Sequence, residues 1–600
     1  MRKACLLLLF AALLIQGCKS GIIIEEDSTD PQEKEIKEPD EKPSEYSYYM
    51  YGIADIDVIV DDGKKVDSKK TEDYRPCSVK IDGGKTFESL EARGRIRGRG
   101  NSTWEWYPKK PYRIKLDESA PVLGMDANKD WVLMADYRDV THLMNNVGFS
   151  MAHYLGLPCA NHSRYARLTL NGEYLGLYMV TEQVEEGGHR VPLDGLQGIL
   201  LALDINDGPG DVPHSTENFY SEVFRSAACV KYPENATTDV RDRVKTEFAK
   251  LERAIDGLEW DALQQMLDIP SMIHYIMIQE LIANVEMDNG NSMRSGYIHR
   301  YSNSSKWVMG PLWDCDGGFS YNWGDMYDYS GWGHTYFESY KVLIYGSDPY
   351  KGKGAYGSGV SDFFSKLFGM PEFVKAFKQR WNEVKEGLLT EVLENIEATE
   401  EVIEEAADED TAIWDIYNYD HSTEVEKLTR WLKNRFSYLD GVFNAYPENA
   451  GEAPVAKDIK VVSTITYDVS FPLDEHHAGD YVSISDEEQK TLLDGLGLKS
   501  LDELTAGYFE EEITFQAIEP DGKFNPENTA YAPGIWFDDK GYVTSYGSNS
   551  YVYSQLDLWG LTFEVGKHPT ICTPGDYTIK EAFVKGENAV CFTFNISVTE

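Results

Sequence analysis

Positive charge is what this chain has least of. Across 600 residues, 57 lysines and arginines stand against 101 aspartates and glutamates, a formal charge of −44. That balance excludes nucleic acid and anionic lipid surfaces as general partners, and it favours solubility. Cysteine is scarce: eight in all, with no Cys-x-x-Cys pair, which speaks against a structural zinc site. Cys77, Cys159, Cys229, Cys315, Cys572 and Cys591 are expected as buried free thiols. Cys572 and Cys591, in neighbouring strand-like segments, are the one pair to consider for a disulfide. Beyond the first residues there is no apolar run long enough to span a membrane. What is there is 42% hydrophobic and 12% aromatic, enough to bury cores. A chain of this length exceeds what one core serves, so at least two domains are expected.

The one compact apolar run opens the chain. Arg2 and Lys3 precede Leu6 to Ile15, a stretch too short to cross a bilayer, and Gln16-Gly17-Cys18 follow. A charged start, a short apolar run and a small residue before cysteine resemble a bacterial lipobox. Residues 1–17 are therefore read as a lipoprotein signal peptide and Cys18 as the lipidated N-terminus. Residues 18–47 would form a flexible acidic tether, since most of them are charged, Pro, Ser or Thr and cannot bury enough apolar surface to fold. The expected location is that of an exported, membrane-anchored lipoprotein, at the outer membrane or cell surface.

From Tyr48 to Leu203 the pattern alternates as in strands, with an Asn171-Gly172 hairpin turn and one helical stretch, THLMNNVGFSMAHYLG. Residues 239–287 then turn helical. The segment IPSMIHYIMIQELIANVEM is apolar around much of its circumference and predicts a buried core helix. A strand pair follows, then a loop rich in Tyr, Trp and Gly from Gly317 to about Gly359, then helices to Phe443. The composition shifts to a linker at Tyr446–Gly451. The remainder is strand-rich, with one short helix in SDEEQKTLLDGL. The class is α+β: one domain over 48–446 and a C-terminal β-sandwich accessory domain over 455–600.

The scarce positive charge is concentrated in 95-RIRGRGNSTWEWYPKKPYRIKLD-117. Gly94, Gly98 and Gly100 let backbone amides approach a ligand, and Arg95, Arg97 and Arg99 can meet phosphate oxygens in paired hydrogen bonds. Asn101, Ser102 and Thr103 add short donors, and Lys110 adds an ammonium at the start of a strand. The spacing is neither a Walker motif nor Gly-x-Gly-x-x-Gly. Arginines on an exposed strand face would look the same. A second cluster follows the buried helix, with Glu286, Asp288 and Asn291 on a loop and Asp314 and Asp316 beyond the next strand pair. An acid and an Asn on one loop, then Asp-x-Asp-Gly, is how phosphoryl-transfer enzymes supply a base and Mg²⁺ ligands. The same residues also shape turns. Asp136 and Asp139 are read as loop anchors, and His142 and His299 as core or surface histidines.

Taken together, RGRGNSTW…KKPYRIKL, KDWVLMADYRDVTHLMNN, LNGEYLGLYMVTEQV, QELIAN, KWVMGPLWDCDGGFS and LTRWLKNRFSYLD resemble the CotH kinase family of atypical kinases over about residues 50–445. The resemblance implies a two-lobed, protein-kinase-like fold that binds ATP with Mg²⁺ (or Mn²⁺) and transfers phosphate to Ser or Thr of a protein acceptor. It implies that Arg97, Arg99, Asn101, Ser102 and Thr103 face phosphates, that Lys110 is the nucleotide lysine and that Glu182 orients it. Asp314 would hold metal, assisted by Asp316 and Asn291. The family's catalytic acid follows its Asn by two positions. Here that position is Glu286, with Asp288 two residues further on, so both are candidates for the base. The departure leaves a second reading open, a weak or inactive kinase-like fold serving as a cell-surface binding or adhesion module. Its partner would be a glycan or a protein, and the C-terminal domain could contact the glycan.

Overall fold

The structure is a computed structural model that describes residues 48–599, except 196, 214, 285–292, 321–336, 338–339, 342–361, 415–419, 449–458, 474–478, 510–511, 526–533, 545–548 and 559. Seven strands come first: β1 (Ile53–Val60), β2 (Arg75–Asp82), β3 (Leu90–Gly98), β4 (Tyr112–Val122), β5 (Met125–Met134), β6 (Arg164–Leu170) and β7 (Glu173–Glu182). They close into a barrel in the order β1-β2-β3-β4-β5-β7-β6, with β6 returning parallel to β1. Alternation explains the closure. In β1, Ala54, Ile56, Val58 and Val60 are buried while their neighbours are not, and they share a core with Cys77, Val79, Ile96, Ile114 and Leu116. Closing the sheet leaves no exposed strand edge. At the β6–β7 hairpin, Asn171 and Gly172 both take positive φ (54° and 80°), as a tight two-residue turn requires. The Asn171 Oδ1 accepts from the Val60 N–H at 2.8 Å, tying that turn to β1.

Two helices interrupt the barrel strands: the single turn α1 (Ser102–Glu105) and α2 (Met144–Leu155). Asp139 sits at the head of α2, where its Oδ2 accepts from the Met144 N–H and its Oδ1 from Thr141. That structural use agrees with its reading as a loop anchor. Below the barrel lies a second sheet in the order β12-β11-β8-β10-β9, built from β8 (Ile199–Leu203), β9 (Asn218–Tyr220), β10 (Ala227–Tyr232), β11 (Gly296–Arg300) and β12 (Val308–Met309). Packed with it are α3 (Thr238–Asp256), α4 (Trp260–Met266), α5 (Ile269–Leu281), α6 (Asp362–Ser365), α7 (Pro371–Trp414) and α8 (His421–Ala445). Every residue of α5 from Ser271 to Leu281 is buried, as its all-round apolar surface demands. The 44 residues of α7 make a helix roughly 65 Å long. It touches α5 through Arg380 Nε and His274 Nε2 at 2.9 Å, and α2 through Asn395 and Asn146 at 2.5 Å.

The C-terminal residues form two five-stranded sheets. Their strands are β13 (Lys460–Pro472), β14 (Gly479–Ser483), β15 (Ile513–Ile518), β16 (Phe524–Asn525), β17 (Ile535–Phe537), β18 (Val543–Thr544), β19 (Val552–Asp557), β20 (Thr562–Lys567), β21 (Gly575–Lys585) and β22 (Asn588–Thr599). One sheet runs β13-β22-β21-β15-β16 and the other β14-β20-β19-β17-β18, and both contribute to one hydrophobic core. The helix α9 (Asp486–Leu496) opens on a capping box, Ser485 with Glu488. A second helix, α10 (Leu501–Phe509), was not anticipated; Ser500 provides its start by accepting from the Glu503 N–H at 3.2 Å. All six described cysteines are free, Cys572 and Cys591 included. Among the described residues, no helix is long and apolar enough to cross a membrane.

Candidate active site

The arginine–glycine stretch folds back on itself where β3 ends. A Cβ at Gly98 would lie 2.2 Å from the Trp104 ring, and Gly100 combines φ +87° with a Cβ position 2.3 Å from Thr103 Oγ1. Glycine is needed at both places for α1 to close over the strand end. The carbonyl of the exposed Asn101 accepts from the Trp104 and Glu105 N–H groups, and the Ser102 carbonyl accepts from Trp106. Asn101, Ser102 and Thr103 therefore build this turn.

The turn separates the arginines. Arg95 and Arg97 stay on the strand, each about 5 Å from the Tyr74 ring centre (5.0 and 5.1 Å). Arg97 also gives its Nη1 to the carbonyls of Lys69 and Gly98 at 2.8 and 2.7 Å. Its Nη1 is thus taken up by backbone, where the resemblance implied a side chain facing phosphates. Arg99 lies past the strand end and points elsewhere. Its guanidinium sits 5.5 Å from the Trp313 ring centre. Burial lowers its pKa, and Asp314, Tyr297 and Asp316 oppose that shift.

Lys110 and Glu182 do not meet. The Lys110 ammonium donates to the Trp104 carbonyl at 2.5 Å, supporting the turn. Glu182, at the end of β7, accepts from the His162 backbone N–H at 2.8 Å and from its Nδ1 at 2.6 Å. Burial alone would raise the Glu182 carboxyl, but the imidazole and backbone N–H of His162 hold it down at about 2. Glu182 therefore orients His162 and not Lys110. The two side chains leave from different strand ends and each satisfies its charge locally. The neighbouring Lys109, which the sequence reading passed over, is fully buried and paired with Asp410.

Asp314 and Asp316 come from the segment after β12. Asp314 takes a left-handed conformation, φ 52° and ψ 56°. Its Oδ2 accepts from Ser295 Oγ at 2.7 Å, and its carbonyl accepts from Asn284 Nδ2 at 3.2 Å. Ser295 is held in turn, its N–H donating to Asp204 Oδ2 at 3.2 Å. Asp316 is fixed by Arg138, whose Nη2 reaches both its carbonyl (2.7 Å) and its carboxylate (3.2 Å). Asn145 of α2 accepts from the Cys315 N–H at 2.8 Å between them. Burial and the Asp316 charge raise the Asp314 carboxyl, while Arg99, Ser295 and Arg138 oppose them.

Asp136 joins this group, a residue read from the sequence only as an anchor. Its Oδ2 is buried with no hydrogen-bond partner among the described residues. Burial, Asp139 and Asp316 push its carboxyl well above the usual range. Left-handed non-glycine residues gather in the same segments: Asp136, Ala283, Ser295, Asp314, Phe319 and Ser320. Each holds about 1–3 kcal/mol of backbone strain, which tends to concentrate where function demands a fixed geometry. Glu286, Asp288 and Asn291 lie outside the described residues, as does most of the aromatic loop.

These residues fit a hard divalent cation. The repulsion between Asp314 and Asp316 is what such a cation would relieve. Among the described residues no three His, Cys, Asp or Glu side chains already converge on one point. Asp314 and Asp316 are those that would hold it, with water and phosphate completing the shell.

An arginine stacked on Trp313, the neighbour in sequence of Asp314 and Asp316, in a mixed α/β body suits the handling of phosphate together with a metal. The chain belongs to the CotH kinase family: residues 96–439 match the model described as CotH kinase protein. Residues 468–589 match a second family, a domain of unknown function designated DUF4859. No curated protein matches the chain. Family membership points to an atypical, kinase-like, nucleotide- and metal-dependent reaction.

Proposed function

We propose that this protein transfers phosphate from ATP, with Mg²⁺, to Ser or Thr of a protein acceptor, the barrel and the helical body serving as the two lobes. The observation that carries this reading is the stacking of Arg99 on Trp313, the residue before Asp314, which brings the basic loop next to the Asp-x-Asp loop. Arg99 orients phosphate oxygens, and its stacking on Trp313 limits how far it swings. Ser295 occupies one oxygen of Asp314, and Arg138 holds Asp316 in place. The bound metal would supply charge neutralisation between carboxylates and phosphates. The base falls to Glu286 or Asp288.

Isothermal titration of the full chain with ATP and Mg²⁺ tests this. Arg99→Ala should weaken binding roughly 10- to 100-fold, the worth of one charge-assisted contact. Arg97→Ala should change it less than about threefold, because its Nη1 serves backbone carbonyls and its guanidinium lies on the Tyr74 ring. Equal losses would place the phosphate elsewhere. If the wild type binds no nucleotide with Mg²⁺ or Mn²⁺, the second reading stands: a kinase-like surface module for glycan or protein. One observation favours it, the Glu286 that stands where the family has Asp.

We propose further that Cys18 carries lipid and anchors the protein to a membrane, with residues 455–600 as an accessory domain. Support comes from the charged start, the short apolar run and Gly17-Cys18. Cys18→Ala should move the protein to the soluble fraction, and a variant that still carries fatty acid would sink the idea.

A further inference from the structure

One buried ion pair joins the basic loop to the long helix. The Lys109 ammonium lies 2.8 Å from Asp410 Oδ1, and both side chains are fully buried. It also donates to the Leu177 carbonyl at 2.5 Å and sits 4.7 Å from the Tyr178 ring centre. Asp410 Oδ1 accepts in addition from the Leu177 N–H at 2.9 Å. Leu177 thus gives its carbonyl to the lysine and its N–H to the aspartate. Gly176 provides the room: its φ is +90°, and a Cβ there would come 2.0 Å from Asp410 Oδ1. On the far side, His142 Nε2 approaches Asp410 Oδ2 at 3.6 Å.

The pair is one step from the loop that carries Arg99. Lys110, the next residue, places its ammonium on the Trp104 carbonyl, and the Tyr178 hydroxyl donates to the Lys110 carbonyl at 3.0 Å. The Arg99 N–H donates to the Pro111 carbonyl at 3.1 Å, closing the loop at its base. Two adjacent lysines therefore face opposite ways, one supporting the turn and the other fastening it to α7. The same helix is bonded to α5 at Arg380 and to α2 at Asn395. It is thus attached to the barrel at Asp410 and to α2 and α5 further along.

We infer that Lys109 and Asp410 are positioning residues that hold the Arg99 loop against Trp313, beside Asp314, with α7 as the strut that fixes its place. The effect on nucleotide binding rests on the kinase reading; the fastening of the loop does not. A buried ion pair is a costly way to gain stability alone, since apolar side chains of similar size often do as well. Its fixed geometry is what apolar packing would not reproduce.

Hydrogen–deuterium exchange on the full chain, without nucleotide, reads the loop directly. In Lys109→Met and in Lys109→Met/Asp410→Leu, amides of residues 99–111 should exchange at least tenfold faster, while those of α5 and the C-terminal sheets keep their protection. The double variant removes both charges of the pair, so it carries the test if the single variant fails to fold. The dissociation constant for ATP with Mg²⁺ should rise at least tenfold in both. A double variant whose loop exchanges at the wild-type rate overturns the inference, whatever its affinity. If the loop loosens but the wild type binds no ATP, the positioning role stands and the kinase reading falls.

Discussion

Asp314→Asn should abolish magnesium-dependent nucleotide turnover, on the order of 10³-fold or more, and leave the fold at least as stable as before. The magnitude follows from removing one of two carboxylates that would hold the metal, an interaction of several kcal/mol. The stability half of the expectation comes from the sign of the Asp314 shift. Burial and Asp316 raise its carboxyl in the folded state, so its charge works against folding above the unfolded pKa. Asparagine removes that charge and keeps an oxygen for the Ser295 hydroxyl. Calorimetric melting, metal-dependent ATP binding and turnover together check both halves. An Asn variant that turns over ATP at the wild-type rate would exclude Asp314 as a metal ligand, and one that unfolds would show the residue to be structural.

A second large effect is expected in the C-terminal sheets, at Glu581. It lies on β21 with Ile579 and Phe583, which point into the shared core of the C-terminal sheets. There it is fully buried, and across the core its Oε2 accepts from Ser554 Oγ of β19 at 2.7 Å. Burial pushes its carboxyl up to about 8, with Ser554 opposing. A carboxyl whose folded pKa is raised stabilises the fold fully only below its unfolded pKa, near 4.5. That contribution is lost as pH climbs towards 8. At pH 7 the loss is about 3 kcal/mol. Glu581→Gln keeps the acceptor for Ser554 and removes the titration. The variant should outlast the wild type by about that amount at pH 7, and by less than about 1 kcal/mol at pH 5. Thermal melting across this range decides it, because a gap that does not change with pH would rule out the buried charge as the cause.

Some of this was legible in the residues. The all-round apolar run from Ile269 to Leu281 could only be a buried helix, and Asn171-Gly172 could only turn a hairpin. Arg99, Asp314 and Asp316 were singled out because their residue types suit phosphate and metal, and the fold brings them together. Arg97 shows where such reading ends. Along a strand, residues 95, 97 and 99 share a face, but β3 stops at Gly98 and the left-handed Gly100 turns the chain. Whether an arginine points at ligand or at backbone then depends on a single position. Lys109 and Lys110 are neighbours of the same type, and nothing local tells which is buried; Asp410, which decides it, stands in a distant helix. Glu182 went to His162 because each was the nearer charge to the other, a proximity that exists only once β6 and β7 have paired. The closing of the barrel by β6 on β1 is likewise a long-range pairing that alternation cannot specify.

The pinning of Lys109 by Asp410 also sets an order in time. A ribosome delivers the lysine first, and at about 5–20 residues per second the aspartate follows roughly 15–60 s later. All seven barrel strands have emerged by then, with a lysine still lacking the counter-charge that lets it be buried. The loop that carries Arg99 thus settles late, although it is made early. It acquires its native support only when the end of α7 has been made, so an incomplete chain would carry the barrel without a fastened loop.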